Sequence, residues 1–269
     1  MAAVREGAVH LEDRDIPFRQ FRPTDAPTLP AILFCHGGGF VWGSIDTHDG
    51  ICRRLAAQTG AAVISVGYRL APETRFPGPV DDAYGVLHDL IAQADEHSID
   101  AGNLTLCGDS AGGGICVSVA KMAARDGIPL RHLALIYPAL DPACDTASQH
   151  ALADGPLLTQ DTMRWFWSCY LGPQPDHTDD LLPLQDVDLD ALPSTTIATA
   201  EFDPLRDEGE GFASTLKARK IDVTYTCYPG MIHGFMSLAV SSATIDAALS
   251  DVSERLKASF HGQSRTKKA

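Results

Sequence analysis

The run Gly108-Asp109-Ser110-Ala111-Gly112 sets one hydroxyl between glycines two positions to either side. The apolar residues 104–107 before it have strand character, and the apolar stretch after it has helical character. Ser110 therefore falls on a sharp strand-to-helix turn. A nucleophilic serine is held on such a turn because small flanking residues let the chain pack tightly enough to strain the backbone. The helix start also turns free N–H groups and a positive dipole end toward a developing oxyanion. The competing reading is a phosphate loop, but the run is neither GxGxxG nor a Walker sequence with its lysine.

Acyl-transfer chemistry needs more than a nucleophile. His36-Gly37-Gly38-Gly39 follows a second strand-like run, and glycines there leave backbone N–H groups open to a substrate oxygen. The expected oxyanion hole is the N–H groups of Gly37, Gly38 and Ala111. His36 itself is expected to brace that loop by hydrogen bonding. A general base and its orienting acid should follow in the chain order Ser, acid, His. His233 lies in the loop after the last strand-like run, and Asp203 lies just beyond the preceding one. Asp207, which reads as a charge at a helix start, and Asp141 compete with Asp203 for the acid, and Asp203 is preferred. In Asp46-Thr47-His48-Asp49, Thr47 reads as a helix cap rather than the tetrad as a metal site.

The elements that must hold these residues alternate. Strand-like runs fall at 31–35, 61–67, 104–107, 133–137, 195–200 and 223–228, mostly without polar alternation, as in strands buried on both faces. Helical patterns separate them at about 80–94, 110–125, 207–220 and 243–260. The expected fold is α/β, a mostly parallel central sheet with helices on both faces. Residues 8–11 and 16–21 add an antiparallel hairpin at one edge. The site residues then gather at the carboxyl ends of the strands. Residues 141–192 contain no clear strand and read as a cap excursion within a single domain spanning 1–269. In it, Thr159 is the expected N-cap of a helix on which Met163, Phe166, Trp167, Tyr170 and Leu171 share one face. The acidic residues Asp176, Asp179, Asp180, Asp186, Asp188 and Asp190 read as a solvated face. Phe166, Trp167 and Trp42 are the expected substrate-binding aromatics.

The chain of 269 residues is 45% hydrophobic with a formal net charge of −14, which disfavours nucleic acid as a partner. No apolar run approaches the ~18 residues of a membrane span, and the first residues lack a signal-peptide core. The C-terminal SRTKKA reads as a frayed tail. Seven cysteines without CxxC spacing suggest a reducing, cytoplasmic setting, with Cys35, Cys107 and Cys227 as small buried hydrophobes.

Together, HGGGF, YRLAPE (68–73), GDSAGG, DPLRDEG and GMIHGF resemble the hormone-sensitive-lipase-like branch of the α/β-hydrolases, in its bacterial esterase form. The resemblance runs from about Ala31 to Leu238. It implies an α/β-hydrolase fold and a carboxylesterase with Ser110 as nucleophile, His233 as base and acid, and Asp203 as orienter. It further implies a small-molecule ester as substrate, no metal or organic cofactor, and a sheet-edge homodimer. Amidase, carbamate hydrolase and lactonase chemistry share this triad, and a non-catalytic receptor can share the fold. The chain departs from such relatives in Gly67, where they commonly have Asp, and in Gly114, where they commonly have Asn. With only 35 residues before His36, a reduced helical cap is expected.

Overall fold

In strand β3 (Leu29–Cys35), Ala31, Leu33 and Cys35 enter one hydrophobic core while Ile32 and Phe34 enter another. That even division is why the run is apolar throughout: both of its faces are covered. The computed structural model describes residues 1–172, 179–238 and 242–261. The expected C-terminal tail and Asp176 lie outside them.

Eight strands form one sheet in the order β1-β2-β4-β3-β5-β6-β7-β8. They are β1 (Ala3–His10), β2 (Asp15–Arg22), β4 (Ala62–Val66), β5 (Ile99–Asp109), β6 (His132–Ile136), β7 (Thr195–Phe202) and β8 (Val223–Ile232), with β3 above. The hairpin β1–β2 is antiparallel and joins β4 antiparallel, and every later pairing is parallel. Sequence patterning thus marks the strands but shortens β1, β5 and β8, whose outer parts hold polar and glycine residues. As the sheet edge, β8 is mostly half-exposed, so Cys227 is only partly buried, contrary to expectation.

Helices α2 (Gly78–Ala92), α4 (Ala111–Arg125) and α7 (Arg206–Ala218) cover the first core, and α1 (Asp49–Thr59) and α8 (Ala243–His261) the second. A short α3 (Ala94–His97) follows α2. Thr47 does not cap α1; the cap position is His48, and the Thr47 hydroxyl donates to Ser44 O at 2.9 Å. No helix among the described residues is long and apolar enough to cross a membrane.

Between β6 and β7 the chain forms α5 (Ala147–Ala151), α6 (Gln160–Leu171) and a 3-10 turn at Leu189–Ala191. Thr159 caps α6, accepting the Thr162 N–H at 3.1 Å. On α6, Met163, Phe166, Trp167 and Tyr170 are all buried. Of the acidic residues that follow, Asp180, Asp186 and Asp190 are exposed, as expected of a solvated face, while Asp179 and Asp188 are half-buried. Asp180 and Asp188 pair with Arg125, and Asp186 and Asp190 with Arg219.

Candidate active site

Ser110 directly follows β5 and takes the N-cap position of α4 with φ 52° and ψ −122°, a conformation that costs a non-glycine residue ~1–3 kcal/mol. Close packing holds it there. A Cβ on Gly112 would come within 2.0 Å of Cys35 O, so α4 can approach the end of β3 only with glycine at that position. The turn therefore presents the Ser110 hydroxyl at the carboxyl edge of the sheet.

The loops after β7 and β8 meet it there. His233 Nε2 lies 2.9 Å from Ser110 Oγ, and His233 Nδ1 lies 2.8 Å from Asp203 Oδ2. Asp203 is wholly buried and its Oδ1 accepts the Leu205 N–H at 2.9 Å, which fixes the carboxylate. With Nδ1–H donating to Asp203, His233 Nε2 is left to accept from the Ser110 hydroxyl. The rings of His233 and Tyr137 meet edge-to-face at 4.9 Å between centroids. The rival acids are engaged elsewhere. Asp207 accepts the Ser148 N–H at 2.7 Å, and Asp141 the Ala143 N–H at 2.9 Å.

The glycine loop differs from expectation at one donor. The Gly37 N–H points away from the cleft and donates to Asp109 Oδ1 at 2.8 Å. Gly37 is therefore corrected from oxyanion donor to anchor. The N–H groups of Gly38, Gly39 and Ala111 have no hydrogen-bond partner among the described residues. Gly39, at φ +61°, lies under the Phe166 ring, where a Cβ would come within 2.3 Å. His36 braces the loop: its Nδ1 lies 2.8 Å from Gly37 O, and Tyr68 stacks on it and donates its hydroxyl to His36 O at 2.6 Å. Burial pulls the His36 ring down to about 4, so it is neutral near pH 7.

Beneath the loop, Asp109 collects three partners: the Gly37 N–H, the Ser237 hydroxyl at 3.1 Å and His48 Nε2 at 3.2 Å. Burial alone would raise its carboxyl and lower His48. The charge and hydrogen bond each offers the other outweigh burial, so Asp109 is held below its ordinary value and His48 above.

Of the expected aromatics, Phe166 covers Gly39 and meets Trp42 edge-on at 5.0 Å, while Trp42 is 56% exposed. Trp167 is buried against Phe40 at 4.8 Å, and its indole N–H has no partner among the described residues. Gly114 fits where it stands because a Cβ would lie 2.4 Å from Ala139 O. At Gly67 the N–H donates to Pro17 O at 2.8 Å, beside a cavity of about 440 Å³ that His36 and Tyr68 also line.

The α/β-hydrolase fold family matches residues 32–237. The chain belongs to that family. An ethyl acetate hydrolase of Pseudomonas putida is 37% identical over 90% of this chain and 78% of its own. The carboxylesterase NlhH of Mycobacterium tuberculosis is 38% identical over 84% of this chain and 73% of its own. A hyperthermophilic esterase from the archaeon Pyrobaculum calidifontis superposes with a TM-score of 0.91 at 38% identity, covering 95% of this chain and 85% of its own.

Sequence reasoning on this hydrolase missed three residues. His48 had a signal, since a carboxylate placed beside a buried nucleophile needs a buried partner and a histidine follows the glycine loop closely. Gly39 had none, because a backbone N–H bears no mark of where it points. Trp165, half-exposed and 6.1 Å from Trp42 between centroids, extends the aromatic rim.

Proposed function

We propose that this α/β-hydrolase is a serine carboxylesterase that hydrolyses short-chain carboxylic esters of small molecules through an acyl-enzyme. The observation that carries the reading is the unbroken hydrogen-bonded row from Ser110 through His233 to buried Asp203. It stands beside three N–H groups with no partner among the described residues, and relatives named for ester hydrolysis support the substrate class. Ser110 Oγ attacks the ester carbonyl carbon while His233 Nε2 takes the hydroxyl proton. The carbonyl oxygen, now an anion, is received by the N–H groups of Gly38, Gly39 and Ala111. The tetrahedral species collapses, the C–O bond to the alcohol breaks, and His233 returns its proton to the leaving alkoxide. Water, deprotonated by the same imidazole, attacks the acyl-enzyme, and Ser110 leaves with the proton to complete the cycle. Residues 141–192 serve as the cap of this single hydrolase unit.

The short-chain preference has a packing basis. Phe40, Trp167, Tyr170 and Leu182 fill the space behind the glycine loop down to a narrow crevice. Each acyl methylene adds ~0.8 kcal/mol to binding only where a wall can exclude water from it. On nitrophenyl esters, kcat/KM is expected to peak between acetyl and hexanoyl and to fall steeply by decanoyl. A profile still climbing at dodecanoyl would defeat the packing argument. An organophosphonate should label Ser110 stoichiometrically and leave Ser110→Ala unmodified; no labelling of the native chain would favour a non-catalytic binding role.

A further inference from the structure

The helix that begins at Ser110 carries a second device, three turns further on. Ser118, Lys121 and Arg125 of α4 recur at helical spacing, so they line one face. All three reach the same stretch of chain, the turn at 180–188 that follows α6. The Ser118 hydroxyl donates to Leu181 O at 2.6 Å. Arg125 pairs with Asp188 and, at 3.7 Å, with Asp180.

Lys121 is the unusual member. It is wholly buried, and its ammonium donates to three main-chain carbonyls: Asp180 O at 3.1 Å, Leu182 O at 2.7 Å and Gln185 O at 2.7 Å. Those bonds use all three of its donors. Converging carbonyl dipoles repel one another, and a cation at their focus reverses that repulsion. The turn therefore closes on the ammonium as a loop closes on a bound cation. Burial pulls Lys121 down to about 8, which leaves it mostly charged at neutral pH. Nothing in the ester chemistry uses it.

What the turn displays gives the clasp its consequence. Leu182 and Pro183 face Phe40, Phe76, Trp167 and Tyr170 across the crevice, with Gly114 of α4 at its floor. Phe40 directly follows the glycine loop, and Gly114 lies one helical turn beyond Ser110. Leu182 and Pro183 thus set the width of a crevice whose other walls adjoin the glycine loop and the first turn after Ser110.

We propose that Lys121 is a positioning residue: by drawing the 180–185 turn onto α4, its ammonium fixes the wall that limits acyl-chain length. The proposal rests on the ester-hydrolase reading for its substrate, and on the carbonyl cage alone for its structural half.

Lys121→Met keeps the length and removes the charge. Nitrophenyl acetate turnover should keep its kcat within about threefold, because the variant lies away from the reacting atoms. The kcat/KM ratio of octanoyl to acetyl ester should rise about tenfold, the worth of one to two newly admitted methylenes, chiefly through KM. In Lys121→Ala, ammonium or methylammonium chloride should restore the native ratio where sodium chloride at equal ionic strength does not. Hydrogen exchange at the amides of 181–186 should accelerate in both variants. An unchanged ratio in a folded Lys121→Met, or an equal fall for every acyl length, overturns the proposal. Should Lys121→Met fail to fold, Ser118→Ala must move the ratio in the same direction, or the proposal fails. Absence of any ester turnover by the native chain sinks the ester reading instead, and the exchange rates then decide whether Lys121 holds the turn.

Discussion

Two sides of the cleft around Ser110 are fastened by different means. On the sheet side, Ser110, His233, Asp203 and the glycine loop hang from the ends of β3, β5, β7 and β8, and hydrogen bonds tie them to one another and to Asp109. On the other side, the 141–192 segment has no strand among its described residues. It is tied down by side chains reaching backbone and carboxylates: Glu208 accepts the N–H groups of Leu140 and Asp141, Lys121 cages three carbonyls, and arginines hold the aspartates. Backbone ladders place atoms to within fractions of an ångström, as proton transfer requires. Side-chain ties can be redrawn without touching the ladder. On the proposed function, the reaction can then be kept while the substrate wall varies.

The sharpest way to break that comparison is to cut the sheet side. Ser110→Ala or His233→Ala should lower kcat on nitrophenyl butyrate by ~10³-fold or more, and the double variant should be scarcely worse than either, since residues acting as one unit are not additive. Asp203→Asn should cost ~10²–10⁴-fold with the fold intact, because the imidazole loses the partner that sets its tautomer. Steady-state kinetics with circular dichroism checks both, and a variant that keeps a tenth of native activity would remove that residue from the site.

A smaller effect is expected one layer below. His48→Asn leaves the buried Asp109 carboxylate short of its cation, which should cost about 3–5 kcal/mol of stability. A glycine loop resting on that carboxylate should then lose up to ~10²-fold in kcat. Because His48 is held above its ordinary value in the folded chain, the stabilisation is complete below about pH 6.5 and is lost as pH climbs through the raised value. The Tm gap between native chain and His48→Asn should accordingly be widest near pH 6 and narrow as the solution becomes alkaline. A gap that widened with pH would mean that His48 is neutral in the fold.

The smallest effect belongs to the outermost ties. Arg219→Ala cuts pairs with Asp186 and Asp190 that stand mostly in solvent, and exposed pairs contribute little and are screened by salt. Tm in moderate salt and the acyl-length profile should both stay at native values. A changed profile would extend the clasp beyond Lys121.

Much of the sheet side could be read without coordinates. Ser110, Asp203 and His233 are each placed by a strand that ends in a loop, and strand ends are visible because apolar runs stop at glycine, proline and acidic residues. The wall was less legible. Asp180, Asp186, Asp188 and Asp190 read as a solvated face, since the arginines that pair with them lie on α4 and α7, far away in the chain. Lys121 stands in an apolar helix as a lone charge whose acceptors are carbonyls, and carbonyls are present at every residue and so mark nothing.

The chain by itself determined the alternation of strands with the longer helices α2, α4, α7 and α8, the sharp turn at Ser110 and the order Ser110, Asp203, His233 along the strand ends. All of these follow from local residue types, through burial patterns and the steric demands of glycine. Only the tertiary structure decided that the Gly37 N–H serves Asp109 while those of Gly38 and Gly39 meet no partner among the described residues, and that His48 rather than Thr47 reaches Asp109 after the loop. A hydrogen bond needs an acceptor at about 3 Å in the right direction. For Gly37 that acceptor is 72 residues away in sequence, and only the folded sheet brings it near.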